Sequence, residues 1–321
     1  MEKIKLDIST FIYNSITYDG LRFGFRKKDN EMEMNYNFFL NTIIINYYKI
    51  YKEAKNNYYI VFKNDSSFFI DSIVNYPFKN ELSFEPLKKS ITIRITKDSY
   101  ETFVDIERNE LKNISMTNFI RMLLSQYVSL KIYEREKIVF SKKYEIIIEA
   151  IKRKRKVFIE TKQSKFYFDC YKMIQSPDDE HNYLIGKFYY ENDSKIGSIK
   201  LSTIYSIVIL EESISLSYED IININEAASK DTRFIGQLVN AKIKFTDAGL
   251  RMFEKCYNDR PLYVSIDKEN SILEFKNTID HLFIYLKQFG RHAFVICPIE
   301  LRNRLKDFYQ KATKKYEEDK G

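Results

Sequence analysis

Residues Ser90–Ser129 read S-ITIRIT-KDSYETFVDIERNEL-KNISM-TNFIRMLLSQYVS, and the organisation of the first half of the chain follows from them. Ile91, Ile93 and Ile95 alternate with Thr92, Arg94 and Thr96, the period of a strand with one buried face. Helical spacing follows at Tyr100, Phe103, Ile106 and Leu111, and again at Phe119, Ile120, Leu123, Leu124 and Tyr127. Ser115 or Thr117 caps the second helix. One strand and two helices of this size cannot close a core alone, so the unit needs a twin.

Residues 1–55 supply one. KIKLDI alternates Ile4, Leu6 and Ile8 with Lys3, Lys5 and Asp7. Ser9 or Thr10 then caps a helix running to about Phe23, and a polar loop, Arg26–Asn35, leads to NFFLNTIIINYY at Asn37–Tyr48. Laid over TNFIRMLLSQYV, this segment matches Phe39 to Phe119, Leu40 to Ile120, Ile43 to Leu123, Ile44 to Leu124 and Tyr47 to Tyr127. The step from Leu6 to Phe39 is 33 positions and from Ile93 to Phe119 is 26, a diverged repeat with a longer loop in its first copy. The strands are expected to pair antiparallel with Lys5 beside Arg94 at the centre, a like-charge contact that an anion would relieve. Asp7 on the same face opposes phosphate.

These residues resemble the ribbon-helix-helix family, in which two paired strands enter the DNA major groove and the second helix starts on phosphate. The resemblance implies a nucleic-acid-binding ribbon of Lys3, Lys5, Thr92, Arg94 and Thr96, with a phosphate seat at Ser115 and Thr117. Repeat 1 covers residues 1–55, a connecting segment with Pro77 and Pro86 covers 56–89, and repeat 2 covers 90–131.

A linker helix at 132–156 ends in Lys152, Arg153, Lys154, Arg155 and Lys156, a solvated basic face or a further hold on a phosphate backbone. Strand patterns over 157–216 suggest a small curled barrel. FDCYKM (Phe168–Met173), NYLIG (Asn182–Gly186) and SIKLSTI (Ser198–Ile204) resemble the WYL domain, an SH3-like barrel of bacterial regulators. Asn182 stands where that family has tryptophan. The resemblance implies an anion-binding groove of Tyr171, Lys172, Tyr183, Lys200 and Thr203, with Lys162 and Lys165 at its rim. Lys200 and Thr203 replace the family's arginines, which weakens planar recognition of phosphate.

A connector at 217–240 precedes a C-terminal extension, 241–321, whose pattern reads β-α-β-β-α-β-α. Phe289–Arg302 resembles the extension that follows WYL domains, which implies a ferredoxin-like α/β module for assembly or dimerisation. The expected fold class is therefore α+β: tandem ribbon-helix-helix units, a WYL barrel and this extension.

The composition is that of a globular chain, with 44% hydrophobic residues among 321 and a net charge of +7 that permits an anionic partner. Charges at Glu2, Lys3, Lys5 and Asp7 oppose a signal peptide, and a cytoplasmic location with no membrane partner is expected. Cys170, Cys256 and Cys297 and His181, His281 and His292 lack ligand spacing, so neither disulfide, metal nor cofactor is expected. Asp178-Asp179-Glu180 reads as a solvated turn, and the motifs of nucleotide-binding and hydrolytic enzymes are absent from the sequence. The chain is not expected to be an enzyme. Two functional readings follow. The leading one is a DNA-binding transcriptional regulator, a homodimer whose WYL groove senses an anionic ligand or nucleic acid. The alternative rests on the resemblance to accessory proteins of type VI CRISPR effectors: single-stranded RNA binding that stimulates an RNA-guided ribonuclease.

Overall fold

The computed structural model describes residues 3–61, 87–176, 179–190, 193–230, 233 and 235–318. The expectations for Pro77, Pro86 and Asp178 lie outside them. The fold combines helices with antiparallel sheets in two units. Unit 1 comprises Met1–Ile146, Pro177–Asn182 and Leu201–Tyr205; unit 2 comprises Ile147–Ser176, Tyr183–Lys200 and Ser206–Gly321.

In unit 1, β1 (Lys3–Ser9), α1 (Thr10–Arg22) and α2 (Tyr36–Val61) are followed by β2 (Leu87–Arg94), α3 (Lys97–Glu110), α4 (Met116–Ser129) and α5 (Ile132–Val139). β1 and β2 pair antiparallel. Their alternation is as the sequence predicts: Leu6, Ile8 and Ile93 are fully buried, while Lys3, Lys5, Asp7, Thr92 and Arg94 are exposed. Each such aliphatic side chain removed from water contributes about 1.5–3 kcal/mol. Beneath the ribbon, Phe39, Leu40, Ile43 and Ile44 from α2 and Phe119, Ile120, Leu123 and Leu124 from α4 are buried.

The register differs from expectation. Lys5 faces Thr92, and Arg94 faces Lys3, a slide of two residues from the expected Lys5–Arg94 pair. A slide of two preserves every inward and outward face, so alternation cannot detect it. Helix side chains hold the observed register. Asn41 Nδ2 donates to the Arg94 carbonyl at 3.1 Å, and Arg121 Nε donates to the Asp7 carbonyl at 2.8 Å. Asn41 and Arg121 are equivalent positions in the overlay of the two second helices.

Thr96 is also corrected. β2 ends at Arg94, and Thr96 is the N-cap of α3 in a reciprocal capping box with Ser99, so it is not a ribbon residue. Ser9 caps α1 through the Ile12 amide, without a reciprocal bond. A shift of 87 positions therefore carries Leu6 to Ile93, Ile8 to Ile95 and Ser9 to Thr96. The same shift carries Lys5 to Thr92, its own ladder partner, so the two strand repeats are centred on this pair. α2 runs well past the predicted Tyr48, because Tyr51 packs edge-on against Phe119 and Lys55 pairs with Glu110 at 2.8 Å.

Unit 1 also buries charges that helical periodicity does not reveal. Asp19 accepts from the Tyr127 hydroxyl at 2.9 Å and lies 3.2 Å from Arg135 NH1. Burial pushes its carboxyl up to about 6, outweighing the lowering influence of Arg135, Tyr127 and Arg22, while Glu180 adds to the rise. The folded value lies above the unfolded one, so the contribution to stability is full below about pH 4 and is lost as pH rises through about 6. Asp19→Asn is expected to remove that decline. Urea unfolding of both chains at several values from about pH 4 to about pH 7 checks the difference in slope.

In unit 2, β3 (Arg155–Thr161), β4 (Lys165–Gln175), β5 (Asn182–Tyr190), β6 (Asp193–Lys200) and β7 (Ile204–Ser213) form a sheet of order β6-β5-β4-β3-β7. Among the described residues the sheet is open, with β6 and β7 at opposite edges, whereas a barrel was expected. The SIKLSTI segment is split by a 3-10 turn at Leu201–Thr203. Gly186 faces Gly197 across the β5–β6 ladder. A Cβ on Gly186 would stand 1.8 Å from the Asp169 carbonyl oxygen and 2.8 Å from the Phe168 ring.

The expected connector contains α7 (Tyr218–Lys230), which packs on this sheet: Ile224 and Ala227 share a core with Tyr183, Ile185 and Ile235. The C-terminal part runs β8 (Leu238–Phe245), α8 (Asp247–Lys255), β9 (Tyr263–Asp267), β10 (Ile272–Thr278), α9 (Ile279–Leu286), β11 (Ala293–Cys297) and α10 (Ile299–Glu318). This is the predicted element order. Its sheet is ordered β11-β8-β10-β9 over a core that includes Phe245, Phe275, Tyr285 and Phe289.

Candidate nucleic-acid interface

The outward face of the β1–β2 ribbon brings the sequence-predicted contact residues Lys3, Lys5, Thr92 and Arg94 together and leaves them exposed. Lys3 and Arg94 form its first cross-strand pair, Lys5 and Thr92 the second, Asp7 and Ser90 the third. The charge is therefore graded, with cations at the Lys3–Arg94 end and a carboxylate at the other. Like charges opposite each other on a sheet face destabilise it mildly, and a phosphate between Lys3 and Arg94 would relieve the contact. The backbone there is fixed: the Arg94 amide donates to Asn37 Oδ1 at 2.7 Å.

The proposed phosphate seat is partly used by the protein. Ser115 is the N-cap of α4, its Oγ accepts from the Asn118 amide at 3.3 Å, and Thr117 Oγ1 lies 3.2 Å from it. Asn118 Oδ1 accepts from Arg121 NH1 at 2.6 Å. The two sequence candidates for the cap thus resolve to Ser115.

The basic run is divided among three local structures instead of ending a helix as one face. α6 (Ser141–Arg153) ends within it, Lys154 turns with φ of 51°, and Arg155 and Lys156 begin β3. Arg153 pairs with Glu149 at 2.5 Å, Arg155 donates to the Glu211 carbonyl, and Lys156 lies 3.3 Å from Glu212 and 4.6 Å from the Tyr189 ring centroid. Three of its five cations therefore have partners inside the chain.

The expected WYL groove is covered in part. Tyr183 is only 4% exposed, in the core under α7, and Lys200 lies 5.6 Å from its ring centroid as its ladder partner. Asn225 of α7 donates to the Tyr171 hydroxyl at 3.2 Å and accepts from Lys172 at 2.8 Å. Lys187 pairs with Asp220 of the same helix at 2.9 Å. The side chains of Tyr171, Lys172 and Tyr183 are thus engaged by the protein's own helix. Thr203 is exposed on the 3-10 turn assigned to unit 1, Lys162 is exposed, and Lys165 pairs with Glu160 at 2.8 Å.

The histidines all have protein partners: Glu136 for His181, Asn277 and the Asp259 carbonyl for His281, and Thr246 for His292. Burial pushes the Cys170 thiol above its usual range, which opposes thiolate chemistry there. Among the described residues no group of three His, Cys, Asp or Glu side chains is placed to hold a metal ion, and no helix is long and apolar enough to cross a membrane.

No protein-family model matches the chain, and no curated protein matches it. Among solved structures it shares its fold with one described as a CRISPR Cas-related protein, at a TM-score of 0.70 and 17% identity over 99% of this chain and 95% of that one. A second comparison, with the proteasome accessory factor B/C (PafBC) of Arthrobacter aurescens, gives a TM-score of 0.27 at 12% identity over 71% of this chain and 37% of that one, below the level of a shared fold.

Proposed function

We propose that this chain is a nucleic-acid-binding accessory protein of a CRISPR system, which takes up single-stranded RNA and stimulates an RNA-guided ribonuclease of type VI. The observation that carries the reading is the exposed ribbon face with Lys3, Lys5 and Arg94 gathered towards one end. The shared fold with a CRISPR Cas-related protein supports the association. In this reading, residues 1–131 are a fused pair of ribbon-helix-helix units, the five-stranded sheet is a WYL domain with its groove partly covered, and the C-terminal part is a ferredoxin-like extension.

The second reading is a DNA-binding transcriptional regulator with an anion-sensing WYL domain, and the paired-strand ribbon favours it. Against it stands the charge gradient. A twofold ribbon that reads a palindromic duplex presents equivalent groups at both ends, whereas the equivalent of Arg94 is Asp7.

Titration of the full chain with single-stranded RNA, single-stranded DNA and duplex DNA at matched salt separates the two readings. The accessory reading expects RNA to bind tightest, and duplex DNA bound tightest and with sequence preference would sink it. Replacing Lys3, Lys5 and Arg94 together by alanine is expected to lower the slope of log affinity against log salt by about 2 for a single strand. An unchanged slope would remove the ribbon from the interface. Addition of the chain to an RNA-guided ribonuclease, with cleavage rate as readout, tests the stimulation.

A further inference from the structure

The two halves of unit 1 repeat the same strand–helix–helix order and present different chemistry at the two ends of the ribbon. At one end the outward strand residues are Lys3 and Arg94. Beside them, the first turn of α2 is tied to the strand: Asn37 Oδ1 accepts the Arg94 amide, and Asn41 Nδ2 donates to the Arg94 carbonyl and to its own helix at the Asn37 carbonyl. The next residue along, Phe38, leaves 57% of its surface in water. Its ring is braced. Phe25 lies behind it at 5.4 Å between centroids, and its amide donates to Asn35 Oδ1 at 3.2 Å.

At the other end the equivalent positions are Asp7 for Arg94, Ser90 for Lys3 and Asn118 for Phe38. Asn118 is taken up by Arg121, Asp7 and Ser90 carry no positive charge, and the cations nearby are engaged by the protein: Arg121 with the Asp7 carbonyl and Asn118, and Lys89 over the Tyr13 ring at 5.5 Å. A braced, exposed ring one position along α2 from the residue that holds the Arg94 amide, at the end of the ribbon that carries Lys3 and Arg94, offers the two parts that match a nucleotide, a π-face for a base and cations for a phosphate. A base inside a duplex has no free face for such a ring. One-sided chemistry on a two-sided frame suits a strand that is bound at one end only.

We propose that the Lys3–Arg94 end of the ribbon is a docking site for an unpaired nucleotide, with its base stacked on Phe38 and its flanking phosphates held by Lys3, Lys5 and Arg94. The inference rests on the nucleic-acid-binding reading above and deepens it by naming where and how a strand is held. The shared chemistry is a base and a phosphate, which RNA and DNA both carry; a 2′-hydroxyl contact would separate them.

The chain contains no tryptophan, so Phe38→Trp places a single indole fluorophore at the site. The full-length variant is titrated with oligouridylate, oligothymidylate and a duplex of the same length at matched salt. Saturable quenching by the single strands and weaker quenching by the duplex are expected, and a lower dissociation constant for the RNA would add sugar recognition. In a parallel series on unlabelled chains, Phe38→Ala is expected to weaken single-strand binding about tenfold, Phe38→Tyr to keep it, and Asn118→Ala to leave it unchanged. If the single strands bind and Phe38→Ala keeps the unaltered affinity, the site is overturned and the nucleic-acid reading stands. The site is also overturned if the duplex quenches as strongly as the single strands, or if a bound strand causes no quenching. Failure of the unaltered chain to bind any nucleic acid overturns both.

Discussion

Replacing Glu136 by alanine is expected to destabilise unit 1 by about 3–5 kcal/mol, because it strips the acceptor from several buried polar groups at once. Glu136 lies on α5 and is fully buried. One of its oxygens is 2.8 Å from His181 Nδ1, and the other accepts from the Asn182 backbone amide at 2.6 Å and from Asn182 Nδ2 at 2.7 Å. The Asn182 amide also donates to the Tyr133 carbonyl at 2.7 Å. Alanine would leave two donors and an imidazole buried without their acceptor, and each unsatisfied group costs about 1–3 kcal/mol. Glu136→Gln keeps the shape and one acceptor, so its loss is expected to be smaller. Urea unfolding with hydrogen exchange followed in α4 and α5 checks both. If Glu136→Ala unfolds at the same urea concentration as the unaltered chain, the carboxylate has no structural role.

Gly186→Val is expected to destabilise unit 2 by at least about 3 kcal/mol, at the upper end of the effect of forcing volume into a packed interior. The added Cβ would overlap the backbone carbonyl of Asp169, which has no rotamer through which to move away. Its branches would also press on Phe168, whose ring meets Phe188 edge-on at 4.7 Å. Phe188 in turn packs over Gly197, where a Cβ would lie 2.7 Å from its ring. Gly186→Ala is expected to cause a smaller loss of the same sign. Loss of amide protection in β4 and β5 with unit 1 protection retained is the expected hydrogen-exchange pattern. Equal protection in both chains would show that β5 has room at this position.

Asn182 illustrates how a residue can be misread when its partner is distant in sequence. Taken with its neighbours it looks like a substitution of tryptophan in a family tripeptide. In the structure it serves Glu136 and Tyr133, which lie more than forty positions earlier. α5 itself, IYEREKIV, falls in the stretch that the sequence marks as a linker helix, yet both Arg135 and Glu136 are buried. No periodicity announces a buried ion pair, because each member looks polar and only the partner makes its burial tolerable. α7 passes for part of a connector for a related reason: Tyr218–Lys230 carries enough polar residues to look like a solvated helix. Its Ile224 and Ala227 reveal their role only against Tyr183.

The ribbon marks the division most clearly. Alternation at residues 3–8 and 91–96 was enough to identify two half-buried strands, to assign the faces of all but Thr96 and to recognise that one chain carries both, because side-chain period and apolar spacing are local properties. Helix starts were legible to within two residues, at Ser9 or Thr10 and at Ser115 or Thr117, and the structure selects Ser9 and Ser115. The register was not. Pairings that differ by two residues bury the same side chains, and Asn41 and Arg121, which clamp the observed one, reach it across the fold. Only the tertiary structure therefore decided that Lys3, and not Lys5, stands beside Arg94, and that the outward pairs run from Lys3–Arg94 at one end to Asp7–Ser90 at the other.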